Sequence, residues 1–365
     1  MSLPPSNELP DLFRFEQGLR VADPDDWRRR RAEIAESIVQ IEYGGLPPTP
    51  RETVAVELHR STTRRFQNAI FIQYRVTLAE APSFGFRLDV LVPSRSGPRS
   101  AVLTGDACWR YVTDEITGEV LARGHVLAQF SRVEIVPDLP GPPARKQGLY
   151  LVFPEGLYGA LSAWAWGYHR CVDVLRTLPE VDPDRIAVVG HSRGGKAALL
   201  AGATDERIAL TAANNSGCGG AGCYRWPGPQ SETLDVILKA FPGWFGPGLR
   251  AYAGKEESLP FDQHGLMALL APRPLLCTEA LDDLWANPSG TWLNYQAARE
   301  VYRFLNSEKN LGIRYRPGNH DHTLADWLTL LDFMDFQFSG KPSPLPFDES
   351  PFSHLAPLHS WRAPV

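Results

Sequence analysis

Gly190-His191-Ser192-Arg193-Gly194 sets a serine between two glycines. It follows the apolar run Arg185-Ile186-Ala187-Val188-Val189 and precedes Gly195-Lys196-Ala197-Ala198-Leu199-Leu200. A strand, a Gly-x-Ser-x-Gly turn and a helix start form the context of a nucleophile elbow. On so tight a turn, a side chain on either flanking glycine would meet the neighbouring strand or helix. The serine oxygen then projects above the sheet at a helix N-terminus, where backbone N–H groups face a developing negative charge. Without that context the same five residues would read as an ordinary glycine–serine turn.

A serine hydroxyl is a weak nucleophile. It needs a base, and the base needs an orienting acid. The expected chain order is Ser, then Asp or Glu, then His, each on a loop after a strand. The base candidate is His320 in Arg316-Pro317-Gly318-Asn319-His320-Asp321-His322, on a glycine-containing loop after the last strand. His322 competes with it, and one of the two is expected to be a solvated loop histidine. The acid candidates follow Leu275-Leu276-Cys277-Thr278: Glu279, Asp282 and Asp283. Periodicity does not choose among them, and each taken singly reads as a surface charge.

These groups need a sheet to stand on. Trp27 to Tyr43 reads as an amphipathic helix with Ile34, Ile38 and Ile41 on one face, stopped by Gly44-Gly45-Leu46-Pro47-Pro48. Residues 51 to 104 alternate as strands, the last ending at Gly105-Asp106, a strand edge over the site. His125 to Phe130 is a buried strand. Gly159 to Leu178 is a helix whose Trp164 and Trp166 belong to the core or a pocket wall. Strand and helix signals then alternate through Ile186–Val189, Leu210–Ala213, Pro274–Thr278 and Ile313–Arg316. The pattern predicts an α/β fold of the α/β-hydrolase type: a mostly parallel central sheet covered by helices, a three-layer αβα sandwich. The expected organisation is an N-terminal helical segment over residues 1–50 packed on the catalytic domain, that domain over 51–340, and a Pro-rich tail over 341–365 that wraps or hangs loose.

Composition narrows the function. Hydrophobic residues are 43% and charged residues 22% of the 365, ordinary for a globular chain with a full core. A net charge of -5 gives no support for nucleic-acid or anionic-membrane partners. The one basic run, Arg28-Arg29-Arg30-Arg31, is flanked by Asp23, Asp25, Asp26, Glu33 and Glu36, so a solvated helix face is expected. No stretch is apolar enough to span a membrane. The five cysteines follow no zinc pattern. Cys218 and Cys223 stand close enough to pair, but buried free thiols are the expectation. Neither metal nor cofactor is expected.

Several further segments, together with the elbow, resemble the glucuronoyl esterases, carbohydrate esterase family fifteen, and especially their bacterial branch. They are Leu9-Pro10-Asp11-Leu12-Phe13, Trp27 to Ile34, Glu42 to Pro48, Ala163-Trp164-Ala165-Trp166-Gly167, Asn215-Ser216-Gly217-Cys218-Gly219-Gly220, Ala271-Pro272-Arg273-Pro274, Asp283 to Pro288 and His320-Asp321. The Ser192-Arg193-Gly194-Gly195-Lys196 elbow is the most specific. The resemblance implies Ser192 as nucleophile, His320 as base and Arg193 as an oxyanion ligand. It implies Lys196 and Glu232 as contacts to uronosyl hydroxyls, with Trp285 flanking the sugar. Taken alone, Lys196 would read as a solvent-facing helix lysine and Trp285 as a core residue. Part of the family carries its acid as a glutamate at the position of Asn215. The other version places an aspartate two residues before a tryptophan, which Asp283 and Trp285 match, so the resemblance selects Asp283. The chain departs from its relatives at Gly222-Cys223-Tyr224-Arg225-Trp226-Pro227, where they carry a Leu-Ser-Arg-Arg run with a second arginine.

The expected activity is therefore a serine carbohydrate esterase acting on esters of (4-O-methyl-)glucuronic acid. A sugar or xylan deacetylase with the same triad is the alternative. A serine peptidase would bring a large gating domain, and only 189 residues precede Gly190. A non-catalytic carbohydrate-binding hydrolase fold would not need Ser, Asp and His in order. The expected partner is a carbohydrate ester; oligomeric state is left open. Met1-Ser2-Leu3-Pro4-Pro5 lacks the pattern of a secretory leader. The expectation is a cytoplasmic protein as the sequence stands, or a periplasmic or secreted one if a leader was removed.

Overall fold

The computed structural model describes residues 7–94, 97–109, 111–141 and 145–364. Met1 to Pro5, read above for a leader, lie outside them.

Among the described residues nine strands form one sheet: β1 (Thr53–Thr63), β2 (Ala69–Leu78), β3 (Ala81–Val92), β4 (Arg99–Thr104), β5 (Val126–Phe130), β6 (Val181–His191), β7 (Leu210–Asn214), β8 (Leu275–Ala280) and β9 (Leu311–Arg316). Their order is β1-β2-β3-β5-β4-β6-β7-β8-β9. The pairs β1–β2, β2–β3 and β3–β5 are antiparallel, and every pair from β5–β4 to β8–β9 is parallel. This is the α/β-hydrolase arrangement expected from the sequence. β6, which leads into Ser192, lies inside the parallel half, so its C-terminal end opens beside those of its neighbours β4 and β7.

The helices are α1 (Pro24–Ile41), α2 (Asp114–Ala122), α3 (Leu149–Val152), α4 (Ala160–Leu175), α5 (Arg193–Thr204), α6 (Leu234–Ala240), α7 (Gln263–Ala268), α8 (Pro288–Phe304) and α9 (Leu324–Ser339). Successive strand residues face opposite sides of a sheet, and here both sides are buried. Ala101, Leu103, Val126, Ala128, Ile186 and Val188 join the core under α4, α5, α7 and α8. Val102, Leu127, Ala187 and Val189 join a second core with Ile116 and Val120 of α2 and Trp327, Leu330 and Leu331 of α9. Two-sided burial explains why the central strands read as continuous apolar runs.

α1 starts three residues before the expected Trp27. Asp23 caps it by accepting the Asp26 N–H, and Pro24 supplies the first helical position. The arginine run is not the uniform solvated face its composition predicted. Arg28 and Arg29 are exposed and pair with Asp25 and Asp26. Arg30 is buried against Glu33 and the Leu12 carbonyl, and Arg31 donates to the carbonyls of Leu269 and Ala203. A helix that lies on the domain cannot keep four consecutive side chains wet. All five cysteines are free thiols, and Cys223 points at Asp262 rather than Cys218.

The terminal segments lie against the body. The Leu9 N–H donates to the Leu358 carbonyl, and Trp361 Nε1 to the Leu9 carbonyl. The Ile313 N–H of β9 donates to Phe347, whose ring meets Phe333 edge-on at 4.8 Å. Among the described residues no helix is long and apolar enough to cross a membrane.

Candidate active site

β6 ends at His191 and α5 begins at Arg193, leaving Ser192 at φ 55° and ψ −124°. A non-glycine residue pays strain for that conformation, and such strain collects at functional turns. A Cβ on Gly190 would lie 2.1 Å from the Gly194 carbonyl oxygen, and one on Gly194 would lie 2.1 Å from Asp106 Oδ1. The second contact gives a role to Asp106, which the sequence offered only as part of a strand edge over the site. Asp106, just past β4, is buried beneath the elbow. One of its oxygens accepts the His191 N–H at 2.8 Å and the other pairs with Arg132. Burial pushes the Asp106 carboxyl up, against the pull of Arg132. No spacing rule links residues 106, 132 and 191, so only the fold could reveal this clamp.

His320 Nε2 lies 2.9 Å from Ser192 Oγ, and its Nδ1 lies 2.5 Å from Asp283 Oδ2. A carboxylate only accepts, so Nδ1 carries the proton and Nε2 is free to accept from the serine. The other two acid candidates have different tasks. Asp282 accepts the Gly318 N–H at 2.8 Å and ties down the histidine loop. Glu279 is buried beside Thr291 Oγ1, and burial pushes its carboxyl well above the usual range. Asn215 bridges the acid and base loops: its Oδ1 accepts the Ala280 N–H at 2.7 Å and its Nδ2 donates to the Asp321 carbonyl at 3.1 Å.

Neither histidine of the 320–322 pair is the solvated spare that was expected. His322 is buried, stacked on Trp327 of α9 at 5.1 Å and on His191 at 5.6 Å. Burial, with His191 and Arg316 nearby, pushes its pKa well down. His320 is the more open ring, at 42% exposure. His191 is also held neutral. Its pKa falls to about 4 through burial and the neighbouring His320, while its Nδ1 donates to Asn214 Oδ1 at 2.6 Å.

The serine and His320 open onto a cavity of about 300 Å³ that brings Arg193, Lys196, Glu232 and Trp285 together. Asn215, Ser216 and Gly217 form part of its wall, and Val236 and Ala240 of α6 with Phe241 and Trp244 form an apolar part. Lys196 is not solvent-facing: α5 carries it inward, and its Nζ donates to the Ser216 and Cys218 carbonyls at 2.6 and 2.5 Å. Glu232 Oε2 stands 4.0 Å from that ammonium. Burial pushes the Lys196 pKa down and the Glu232 pKa up, and in each case the partner's charge opposes the shift. Trp285 is not core; it is 52% exposed at the cavity rim. Arg225, in the segment expected from the sequence to depart from the family pattern, binds Asp262 and the carbonyls of Leu259 and Phe261. Among the described residues no three His, Cys, Asp or Glu side chains gather as a metal-binding group.

Residues 79–306 match the family model described as "Glucuronyl esterase, fungi". A 4-O-methyl-glucuronoyl methylesterase of Podospora anserina is 31% identical over 87% of this chain. The chain belongs to the glucuronoyl esterase family. A carbohydrate esterase designated MZ0003, from an unknown prokaryotic organism, is 38% identical over 61% of the chain. The matched segments span 65% of the Podospora enzyme's length and 56% of MZ0003's. Among solved structures, a carbohydrate esterase family 15 glucuronoyl esterase from Caldicellulosiruptor kristjansonii superposes with a TM-score of 0.84 at 29% identity, covering 97% of this chain and 96% of that one. A serine-to-alanine glucuronoyl esterase from Sporotrichum thermophile, solved with methyl 4-O-methyl-β-D-glucopyranuronate, gives a TM-score of 0.77 at 29% identity and covers 94% and 90%. The superposition with this glucuronoyl esterase fold thus spans nearly the whole chain, beyond the segment that the family model matches.

Proposed function

We propose that this chain hydrolyses esters of glucuronic acid or its 4-O-methyl ether through an acyl-enzyme. The observation that carries the proposal is a continuous Ser192–His320–Asp283 hydrogen-bond chain opening onto a cavity sized for one sugar ring. Membership of the family, and a relative solved with a methyl uronate ester, support the substrate class.

Ser192 Oγ attacks the ester carbonyl carbon while His320 Nε2 takes its proton. Asp283 fixes the imidazole tautomer and stabilises the imidazolium. The carbonyl oxygen becomes an oxyanion beside the start of α5. The first N–H groups of a helix lack intrahelical acceptors, and the Ser192 side chain does not cap them. Arg193 adds a fixed positive charge. His320 returns the proton to the departing alcohol, breaking the ester C–O bond. Water then repeats the cycle on the acyl-enzyme and releases the uronic acid and free serine. Lys196 and Glu232 meet ring hydroxyls, and the Trp285 indole covers an apolar ring face.

The test is a substrate panel on purified protein: methyl and benzyl glucuronate esters beside acetylated xylose, with Ser192→Ala as blank. Turnover of the uronate esters above the acetyl ester, abolished in S192A, is the expected result. Faster turnover of acetylated xylose, with Lys196→Ala silent on both, would reduce the reading to a generic esterase.

A further inference from the structure

We infer that Asp138 is the positioning residue that holds the Arg193 guanidinium over the reacting carbonyl. The inference rests on the proposed role of Arg193 at the oxyanion.

An arginine side chain has large rotamer freedom, and a donor stabilises a transition state best when it is already in place. Arg193 is 28% exposed at the cavity, so packing alone does not lock it. Asp138 Oδ2 meets its Nη1 at 3.0 Å. Three rings then frame the guanidinium, with its Cζ 4.6 Å from the centroid of Trp244, 5.1 Å from Phe241 and 5.8 Å from Trp109. Asp138 is itself fixed and is only 5% exposed. Its Oδ1 accepts Trp244 Nε1 at 3.1 Å, and its Oδ2 lies 3.9 Å from Arg132 Nη2.

The connections close on the nucleophile. Arg132 pairs with Asp106, and Asp106 accepts the N–H of His191, the residue before Ser192. Ser192 and the guanidinium of Arg193 are therefore both tied to one buried frame, Arg132 between the carboxylates of Asp106 and Asp138. Arg193, at the open side of the frame, brings the charges to two of each sign, which offsets the cost of burying the other three groups. A guanidinium has five N–H donors, so the Asp138 contact leaves others for the cavity. Asp138 is not among the residues lining the cavity. It acts through Arg193.

The experiment is a double-mutant cycle on the full chain: wild type, Asp138→Asn, Arg193→Ala and the double variant. For each, kcat and KM are measured on a methyl glucuronate ester and the melting temperature is recorded. Asparagine keeps an acceptor for Trp244 and removes the charge. D138N is expected to lower kcat on the order of 10- to 100-fold, with KM within about threefold. In the R193A background the same change is expected to alter kcat less than about twofold. Asp138→Glu, which keeps the charge, should recover part of the lost kcat. Equal losses from D138N in both backgrounds would make Asp138 a structural residue and overturn the inference. A silent D138N beside a costly R193A would overturn it while leaving the oxyanion reading intact. A silent R193A would remove the oxyanion role of Arg193 and the inference with it. Should D138N lose its cooperative melting transition, Asp138→Ser takes its place in the same cycle.

Discussion

At the scale of single residues, Asp283 and Asn215 divide work that a glance at the family would assign to either position. Asp283 faces His320 Nδ1, so Asp283→Asn replaces a charge with a dipole and permits the wrong imidazole tautomer. A loss of roughly three to four powers of ten in kcat is expected, the scale seen in Ser-His-Asp hydrolases. Asn215 holds backbone instead. Asn215→Ala leaves the Ala280 N–H without its acceptor, a cost of about 1–3 kcal/mol in stability. Its kcat loss is expected to be much smaller than that of D283N. Rates on a uronate ester together with melting curves separate the two. Equal kcat losses at unchanged stability would move the orienting acid's task to position 215.

At the scale of elements, the elbow depends on two glycines for different reasons. Gly190 must clear the Gly194 backbone, whereas Gly194 must clear the carboxylate of Asp106. Gly194→Ala is therefore expected to cost about 3 kcal/mol or more and to misplace Ser192, since the obstructing atom is pinned between Arg132 and the His191 N–H. Gly118 of α2 provides the contrast. A Cβ there meets nothing within 4 Å, so Gly118→Ala should stabilise by about 0.5–1 kcal/mol through helix propensity. Chemical denaturation of the two variants checks both signs. A Gly194→Ala protein as stable and active as wild type would show that Asp106 does not clamp the elbow.

At the scale of the whole molecule, burial of neutral imidazoles sets a pH dependence. His125, His169, His191 and His264 are each pushed down to about 4, chiefly by burial. In the unfolded chain they titrate near 6.5. Between those values the unfolded state binds more protons, so stability falls as pH falls through that window. Glu42 acts in the opposite sense. Burial raises it to about 7, so its contribution is present at low pH and lost as pH rises towards 7. The raised carboxyls of Asp106, Glu232 and Glu279 act in the same sense as Glu42, while burial lowers His322 and His359 as well, so six rings outnumber four carboxyls. The urea midpoint is expected to be lower at pH 5 than at pH 7. An equal or higher midpoint at pH 5 would mean that these rings are charged in the native state.

What the chain states by itself is local. The apolar strand, the turn and the run of small residues around Ser192 are contiguous, and they sufficed to place a candidate nucleophile on a strand–helix junction. The alternation of strands and helices was likewise legible, because two-sided burial writes apolar runs into β4, β6 and β7. What tertiary structure decided is what joins distant segments. His320 lies 128 positions from Ser192; its loop position favoured it over His322, and the stacking slot between His191 and Trp327 is what holds His322 away. The resemblance had pointed to Asp283, and the geometry adds why its neighbours stand aside, one buried by Thr291 and the other spent on a loop N–H. Lys196 looked like a surface lysine because helical spacing says which face a residue shares, not whether that face is covered. Asp106 was legible only as a strand edge over the site, and Arg132 and Asp138 had no sequence signal at all. Their value comes from buried charges meeting across segments, and a buried charge looks like a surface one until the fold closes over it.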